Sequence, residues 1–389
     1  VPDVIVVGGG VMGASAAFWL TRMDPALRVL LVEPDPTYAR AATALSVASI
    51  RSQFSSPVNV KISRFGIDFI RQFSELTGPP GEVPDLGFKE QGYLFVTSRP
   101  EAAATMHDLA AMQRALGAAT EVLTPEELSR RFPWLATDDL VAGSFGPRDE
   151  GWFDNMGLLW GLRRAAIAQG TEVRRDRVTA LHAKGGRLRG VSLAGGGQVE
   201  APAVVLAAGT QVNALLATLA LSVPVEPRKR TVFIIDAPNL RQPGAPLLID
   251  AGFYIRPEGP HWLTATVPHD DHACDVNDFE PDLQLFEEVI WEQLYHRAPG
   301  FDAVRVVRHW VGHYDFNTLD QNAILGPHPA AAGLHLMTGF SGHGLQQAPA
   351  AGRAIAEHIL YNGWRTIDMD ALSFQRIAQG RPLTERAVV

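Results

Sequence analysis

The sequence predicts a mixed fold, α/β at its beginning and end and α+β between, and three observations predict it. An apolar run, Val4–Val7, breaks into glycines at positions 8, 10 and 13, passes through a helix-like segment and is followed by a second apolar run at 29–32. Residues 231–267 alternate in the manner of antiparallel strands. Beyond residue 324 the chain returns to strand-then-helix order. With 389 residues and 46% hydrophobic content, it can bury the cores of two domains.

The opening element is a βαβ dinucleotide-binding unit of the Rossmann type. Gly8 permits the tight turn, Gly10 lets the backbone approach a pyrophosphate, and Gly13 lets the helix pack close to the strand. The helix N-terminus at Val11 and Met12 offers free N–H groups and the positive end of a dipole. Glu33, followed by Pro34, lies about 20 residues beyond the last glycine, where an acid accepts hydrogen bonds from a ribose. Together these features imply a nucleotide cofactor.

Further along, residues 57–73 read as a helix and 78–84 as a loop. Residues 88–97 read as a strand pair and 100–116 as a helix, with Thr124 as the N-cap of another. A helix over 155–169 leads into a turn at Gly170, followed by strands at 172–181, 188–193 and 204–207. Residues 283–297 and 345–361 are expected to be helical. Residues 201–225 carry no charge and are long enough to cross a bilayer. Gly209, Thr210, Gln211 and Asn213 interrupt that run, so a strand, a turn and an amphipathic helix explain it better than a transmembrane span.

Charge and cysteine usage narrow the partners. A net charge of -8 with no basic block argues against nucleic acid. The single cysteine, Cys274, excludes an internal disulfide framework and a cysteine-rich metal site, and suits a reducing cytoplasm. No signal peptide is expected before a first strand that starts at residue 4. His269, Asp270, Asp271, His272, Cys274 and Asp275 mix hard and soft ligands. Successive ligands on one loop rarely all point inward, so a solvated acidic loop is expected there, and no metal site.

A second glycine signal, GFSGHG at 339–344, sits between a strand at 334–338 and the long helix. It brings backbone and a helix N-terminus close to something planar or anionic. The segment brushes against the GxSxG nucleophile elbow but fails it, because the fifth position is His343.

The start GGGVMG…EP, the middle YIRPEG at 254–259 and the end DQNAILGP…GFSGHGLQQAP resemble the FAD-dependent amino-acid oxidoreductase family, which includes D-amino-acid, glycine and monomeric sarcosine oxidases. The resemblance spans nearly the whole chain and is nearest to the FAD-dependent oxidoreductase domain-containing branch, which is linked to respiratory complex I assembly. It implies a glutathione reductase-type, Rossmann-like FAD-binding domain from residues 1–80, 146–212 and 320–389. An inserted, largely antiparallel β-sheet substrate domain carrying helices would comprise 81–145 and 213–319.

Residue by residue, the resemblance implies that Gly8, Gly10 and Gly13 hold the pyrophosphate and Glu33 the adenosine ribose. Thr43, Ser46, Val47 and Ala48 would thread past the flavin, Val178 would meet the adenine, and Ala208 and Gly209 would form a cofactor-side turn. Gly342, His343, Gly344, Leu345 and Gln346 would face the flavin's pyrimidine ring. Arg51 matches a carboxylate anchor, with the bidentate geometry a guanidinium provides. Tyr254 matches an aromatic position over the flavin, His313 and Tyr314 fall beside the family's active-site tyrosine, and His269 is a weaker candidate.

Three departures matter. Gly312 stands where sarcosine oxidases carry the cysteine that links to flavin, so non-covalent FAD is expected. Thr264 and Gln346 stand at the positions of two family lysines, and the chain has only Lys61, Lys89, Lys184 and Lys229. A missing cation near the flavin weakens the case for a fast oxidase, leaving O2 and a quinone or protein carrier both open as electron acceptors. The expected activity is oxidation of the C–N bond of a small α-amino acid or N-substituted glycine. A 2-hydroxy-acid dehydrogenase and a flavin-bearing assembly protein of the respiratory chain are the alternatives. The expected location is cytoplasmic, with peripheral attachment to the inner membrane open.

Overall fold

The computed structural model describes residues 1–78 and 83–386. The expected loop at 78–84 and the domain boundary at 80/81 therefore fall partly or wholly outside the described residues. Val4–Val7 is buried on both faces because it lies in the middle of a six-stranded sheet, paired in parallel with Val29–Glu33 and Ala203–Leu206. Glu172–Arg175 extends this sheet beyond Val29–Glu33, and Leu334–Thr338 extends it beyond Ala203–Leu206. Ile324–Pro327 closes the far edge and is its one antiparallel member.

Two glycine-led helices cover one face. Val11–Met23 and Gly344–Tyr361 cross so closely that a Cβ on Gly352 would stand 2.2 Å from Ser15 Oγ. Ser15 Oγ donates to the Ala348 carbonyl at 2.7 Å, and Trp19 Nε1 donates to the Pro349 carbonyl at 2.9 Å. The two N-termini are thus fixed relative to each other before any ligand arrives.

An eight-stranded sheet forms the second layer. Its order is Arg305–Asn317, Val225–Asp236, His261–Thr266, Phe253–Glu258, Leu247–Asp250, Tyr93–Thr97, Ala142–Gly146, Glu121–Leu123. Every neighbouring pair is antiparallel except Leu247–Asp250 with Tyr93–Thr97. Phe233, Ile235, Ile255 and Trp262 on its outer face pack against Phe286, Ile290 and Leu294.

The expected strand pair at 88–97 is corrected to one strand, Tyr93–Thr97. Gly92, at φ 86°, bends the chain, and Lys89 makes only an isolated bridge to Trp152. The expected 283–297 helix contains a π-helical turn, Phe286–Ile290, before Trp291–Arg297. In the 201–225 stretch stand the strand Ala203–Leu206, a turn and the short helix Val212–Leu216. Among the described residues no helix is long and apolar enough to cross a membrane.

Candidate active site

Between the two sheets runs a cavity of about 720 Å³, within the range of small-molecule and cofactor sites. On the parallel side, the chain leaves Val4–Val7 at Gly8, whose φ is 95° and whose added Cβ would stand 2.4 Å from the Ala207 carbonyl oxygen. The helix that follows has no capping side chain at Gly10. The Val11 N–H donates to Thr43 Oγ1 at 3.0 Å. At Gly209 an added Cβ would meet nothing within 4 Å, and at Gly10 only Thr43 Oγ1 at 3.4 Å. Side chains there would grow into the cavity, so the missing atoms form a cradle over a helix start that Gly10 itself does not cap, as a pyrophosphate needs.

Glu33 accepts the Gly9 N–H at 2.7 Å and the Asp35 N–H at 2.8 Å. Desolvation nevertheless pushes its pKa up. A carboxylate has about four lone-pair sites, so two remain for ribose hydroxyls. These features fit the dinucleotide half of FAD.

The wall opposite is built on Arg305–Asn317 and the 339–344 turn. Gly342, at φ 91°, leaves room for the Tyr314 ring, which an added Cβ would approach to 2.7 Å. Asp315 accepts from the Gly339 N–H at 2.7 Å and the Phe340 N–H at 3.3 Å. Desolvation raises its pKa to about 6. His313 contacts the Asp278 carbonyl at 2.6 Å and stacks on Phe279, 4.3 Å away. Tyr93, Tyr254 and Tyr314 all line the cavity, and desolvation pushes each phenol's pKa up, so all three are neutral at physiological pH.

Arg51 projects into this end, half-buried. Its Nη1 donates to the Gln53 carbonyl at 2.9 Å, and its Nη2 stands 3.2 Å from His343 Nε2. Arginine has only donors, so His343 Nε2 must accept, which puts the imidazole proton on Nδ1. Desolvation, with Arg51 adding to it, drops the His343 pKa to about 3 and keeps the ring neutral. The guanidinium lies 4.4 Å from the Phe54 ring centre and 5.0 Å from that of Phe95. Among the described residues no carboxylate pairs with it. A half-buried cation facing a cavity without an acidic partner fits an anionic ligand.

Of the residues expected from sequence, Arg51, Tyr254, His313, Tyr314 and Gln346 all line this cavity. So do Gly8, Gly10, Val11, Met12, Glu33, Pro34, Thr43, Ser46, Val47, Val178, Ala208, Gly209 and Gly312, with Gly342, His343, Gly344 and Leu345. Gly13 and Ala48 do not line it. Gly13 faces the strand, where an added Cβ would stand 1.8 Å from the Gly8 carbonyl oxygen. Ala48 turns away at φ 59° to accept the Phe153 N–H. Thr264 also points away, bonding the Tyr254 carbonyl at 2.8 Å, while its neighbour Ala265 lines the cavity. His269 is exposed and outside the lining. In the loop beyond it Asp270, His272 and Asp275 are exposed as expected, while Asp271 turns in to pair bidentately with Arg230 at 2.6 and 2.9 Å. Among the described residues no group of three or more potential ligands could hold a metal.

Several supporting residues were not foreseen. Asn155 Nδ2 donates to the Thr43 carbonyl at 2.7 Å, and Trp310 Nε1 donates to that of Leu45 at 2.9 Å. Glu150, 1% exposed, accepts the Ser52 N–H at 2.7 Å and Gln53 Nε2 at 2.8 Å, bracing the segment that carries Arg51. An acid just ahead of the GlyTrp pair at 151–152 was the only signal, and it does not name its partners.

Comparison with known proteins adds family context. Residues 3–358 match the family described as FAD dependent oxidoreductase. The chain is 37% identical to FAD-dependent oxidoreductase domain-containing protein 1 of Xenopus laevis, covering 100% of this chain and 85% of that protein. It is 25% identical to human mitochondrial sarcosine dehydrogenase over 96% of this chain but 41% of that longer protein. In fold it is similar to the L-proline dehydrogenase of P. horikoshii, with a TM-score of 0.85 at 23% identity, covering 98% and 99% of the two chains.

Proposed function

The chain belongs to the FAD dependent oxidoreductase family, and from that premise we propose that it oxidises the C–N bond of a small α-amino acid or N-substituted glycine. The observation that carries this reading is Arg51, a cation without an acidic partner, set among Phe54, Tyr93 and Phe95 at the end of the cavity away from Glu33. FAD, when bound, supplies a hydride acceptor at N5. Gly8, Gly10, the first turn of Val11–Met23 and Glu33 would hold its dinucleotide half, and the amides at 342–345 would face its ring. Residues 1–80, 146–212 and 320–389 would form the cofactor domain, and 81–145 with 213–319 the substrate domain.

Arg51 would hold the substrate carboxylate, with Gln346 Oε1 fixing its backbone by accepting the Arg51 N–H at 2.8 Å. Tyr254 and Tyr314 would shape the pocket over the α-carbon. The α C–H bond breaks with its electron pair, which leaves as hydride, while the nitrogen lone pair forms the C=N bond. Water then adds and the C–N bond breaks, giving a carbonyl compound and an amine or ammonia. No protein base is required for a neutral amine.

FAD would be bound non-covalently, since Gly312 offers no thiol and Cys274, outside the cavity lining, bonds the Pro227 carbonyl at 3.5 Å. No lysine lines the cavity, Arg230 is neutralised by Asp271, and a bound substrate carboxylate would neutralise Arg51. That favours passing electrons to a quinone or protein carrier over rapid reaction with O2. Analysis of turnover products tests the reading. Release of ammonia or a primary amine with a carbonyl product supports it; oxidation of 2-hydroxy acids alone overturns it.

A further inference from the structure

The segment 383–386 lies against the Arg51 end of the cavity, far in sequence from everything it touches. The Leu383 N–H donates to Asp320 Oδ2 at 2.9 Å, and its carbonyl accepts from Asn322 Nδ2 at 2.7 Å. The Arg386 N–H donates to Ser55 Oγ at 2.6 Å. Between these anchors Glu385 lines the cavity. Its Oε2 accepts from the Ser55 N–H at 2.5 Å and Ser55 Oγ at 2.6 Å. Its Oε1 accepts from Ser56 Oγ at 2.5 Å and Asn59 Nδ2 at 2.8 Å.

Four donors fill the four lone-pair sites of a carboxylate, so Glu385 has no capacity left for a substrate ammonium. Desolvation opposes its charge, yet the hydrogen bonds from Ser55 and Ser56 outweigh it and hold the carboxyl below its ordinary range. The group is therefore an ionised anchor. What it anchors is the stretch directly after Arg51. Ser56 enters the helix Pro57–Arg71 without a capping hydrogen bond of its own, and of Phe54, Tyr93 and Phe95 it is Phe54 whose ring stands nearest the Arg51 guanidinium. Ser52 and Gln53 are held from the other side by Glu150. Two carboxylates thus fix the segment at both ends, and neither pairs with Arg51.

We propose that Glu385 is a positioning residue for Arg51: by fixing Ser55 and Ser56 it holds Phe54 against the guanidinium and sets affinity for carboxylate ligands without touching them. This rests on the reading of Arg51 as the carboxylate anchor.

The sign of one substitution separates positioning from simple electrostatics. Removing a negative charge near the site strengthens anion binding if charge alone matters, and weakens it if geometry does. The FAD-loaded full chain is titrated with benzoate, and with neutral benzamide, through the change in the flavin's visible spectrum. Glu385→Gln is expected to weaken benzoate binding about tenfold while leaving benzamide binding and FAD affinity as in the wild type, with a lower melting temperature because the anchor loses charge-assisted hydrogen bonds. Glu385→Asp keeps the charge but withdraws the carboxylate by one methylene, and is expected to weaken benzoate in the same direction. In an Arg51→Ala background neither substitution should have a further effect. Unchanged or tighter benzoate binding in Glu385→Gln, or an equal loss without Arg51, overturns the proposal. If Arg51→Ala binds benzoate as well as the wild type, the Arg51 reading itself fails; a wild type that binds no benzoate overturns both.

Discussion

Arg51 donates from Nη2 to Nε2 of a neutral His343 at 3.2 Å, so the cation is held by an uncharged acceptor and keeps its full charge. An acid in that place would neutralise the guanidinium and compete with any carboxylate ligand. The imidazole orients without competing.

Arg51→Lys is accordingly expected to raise KM for the carboxylate-bearing substrate by roughly 10- to 100-fold, because an ammonium cannot reproduce the planar fork. FAD content should stay at the wild-type level. Steady-state kinetics with flavin quantitation on the same preparation checks both.

Two glycines separate packing from cofactor contact. Gly13→Ala places a methyl 1.8 Å from the Gly8 carbonyl oxygen, so the helix must move and the protein should purify without flavin and melt lower. Gly209→Ala meets no protein neighbour within 4 Å and costs the chain itself about 1 kcal/mol for the left-handed backbone at φ 52°, while its methyl enters the cavity and should weaken FAD binding. Thermal melts of both variants, with and without added FAD, test the ordering.

Glu150 predicts a pH dependence. Desolvation raises its pKa to about 7 from the ordinary 4.5, against the hydrogen bonds it accepts. A raised folded-state pKa contributes stability that is full below the unfolded value and is lost as pH rises through about 7. Glu150→Gln removes this titration. The wild type's melting temperature relative to the variant should therefore fall by a few degrees between about pH 5 and about pH 8. A gap that stays constant with pH contradicts the assignment.

Acid precipitation tests the cofactor linkage. The flavin should appear in the supernatant, since Gly312 provides no thiol. Colour retained in the pellet would point to a covalent bond elsewhere in the cavity.

The readable parts of this chain were the local ones. Strand, glycines, helix and acid fall within residues 4–33, and each obeys a short-range rule, so the cofactor cradle could be read directly. The 339–344 turn was legible for the same reason. Residues 88–97 misled because Phe88 extends the apolar pattern of Tyr93–Thr97, while the left-handed backbone at Gly92, which the residue type permits but does not declare, limits the strand to Tyr93–Thr97. Gly13 was legible too: the close helix–strand packing its place in the motif implies is what the structure shows. Glu150, Asn155 and Glu385 were hidden because their partners lie far off in sequence: Glu385 meets Ser55 across 330 residues, and no periodicity records that pairing.

The expected reaction is transfer of a substrate amine's α-hydrogen, as hydride, to flavin held in this cavity. Its most direct measurement is an anaerobic titration of the purified FAD-loaded chain with N-methylglycine, other α-amino acids and 2-hydroxy acids, following the flavin's visible absorbance. Bleaching by at least one amino acid in the wild type, slowed or lost in Arg51→Ala with the flavin still bound, is the expected result. A spectrum unmoved by every amine, or bleached equally well without Arg51, would contradict it.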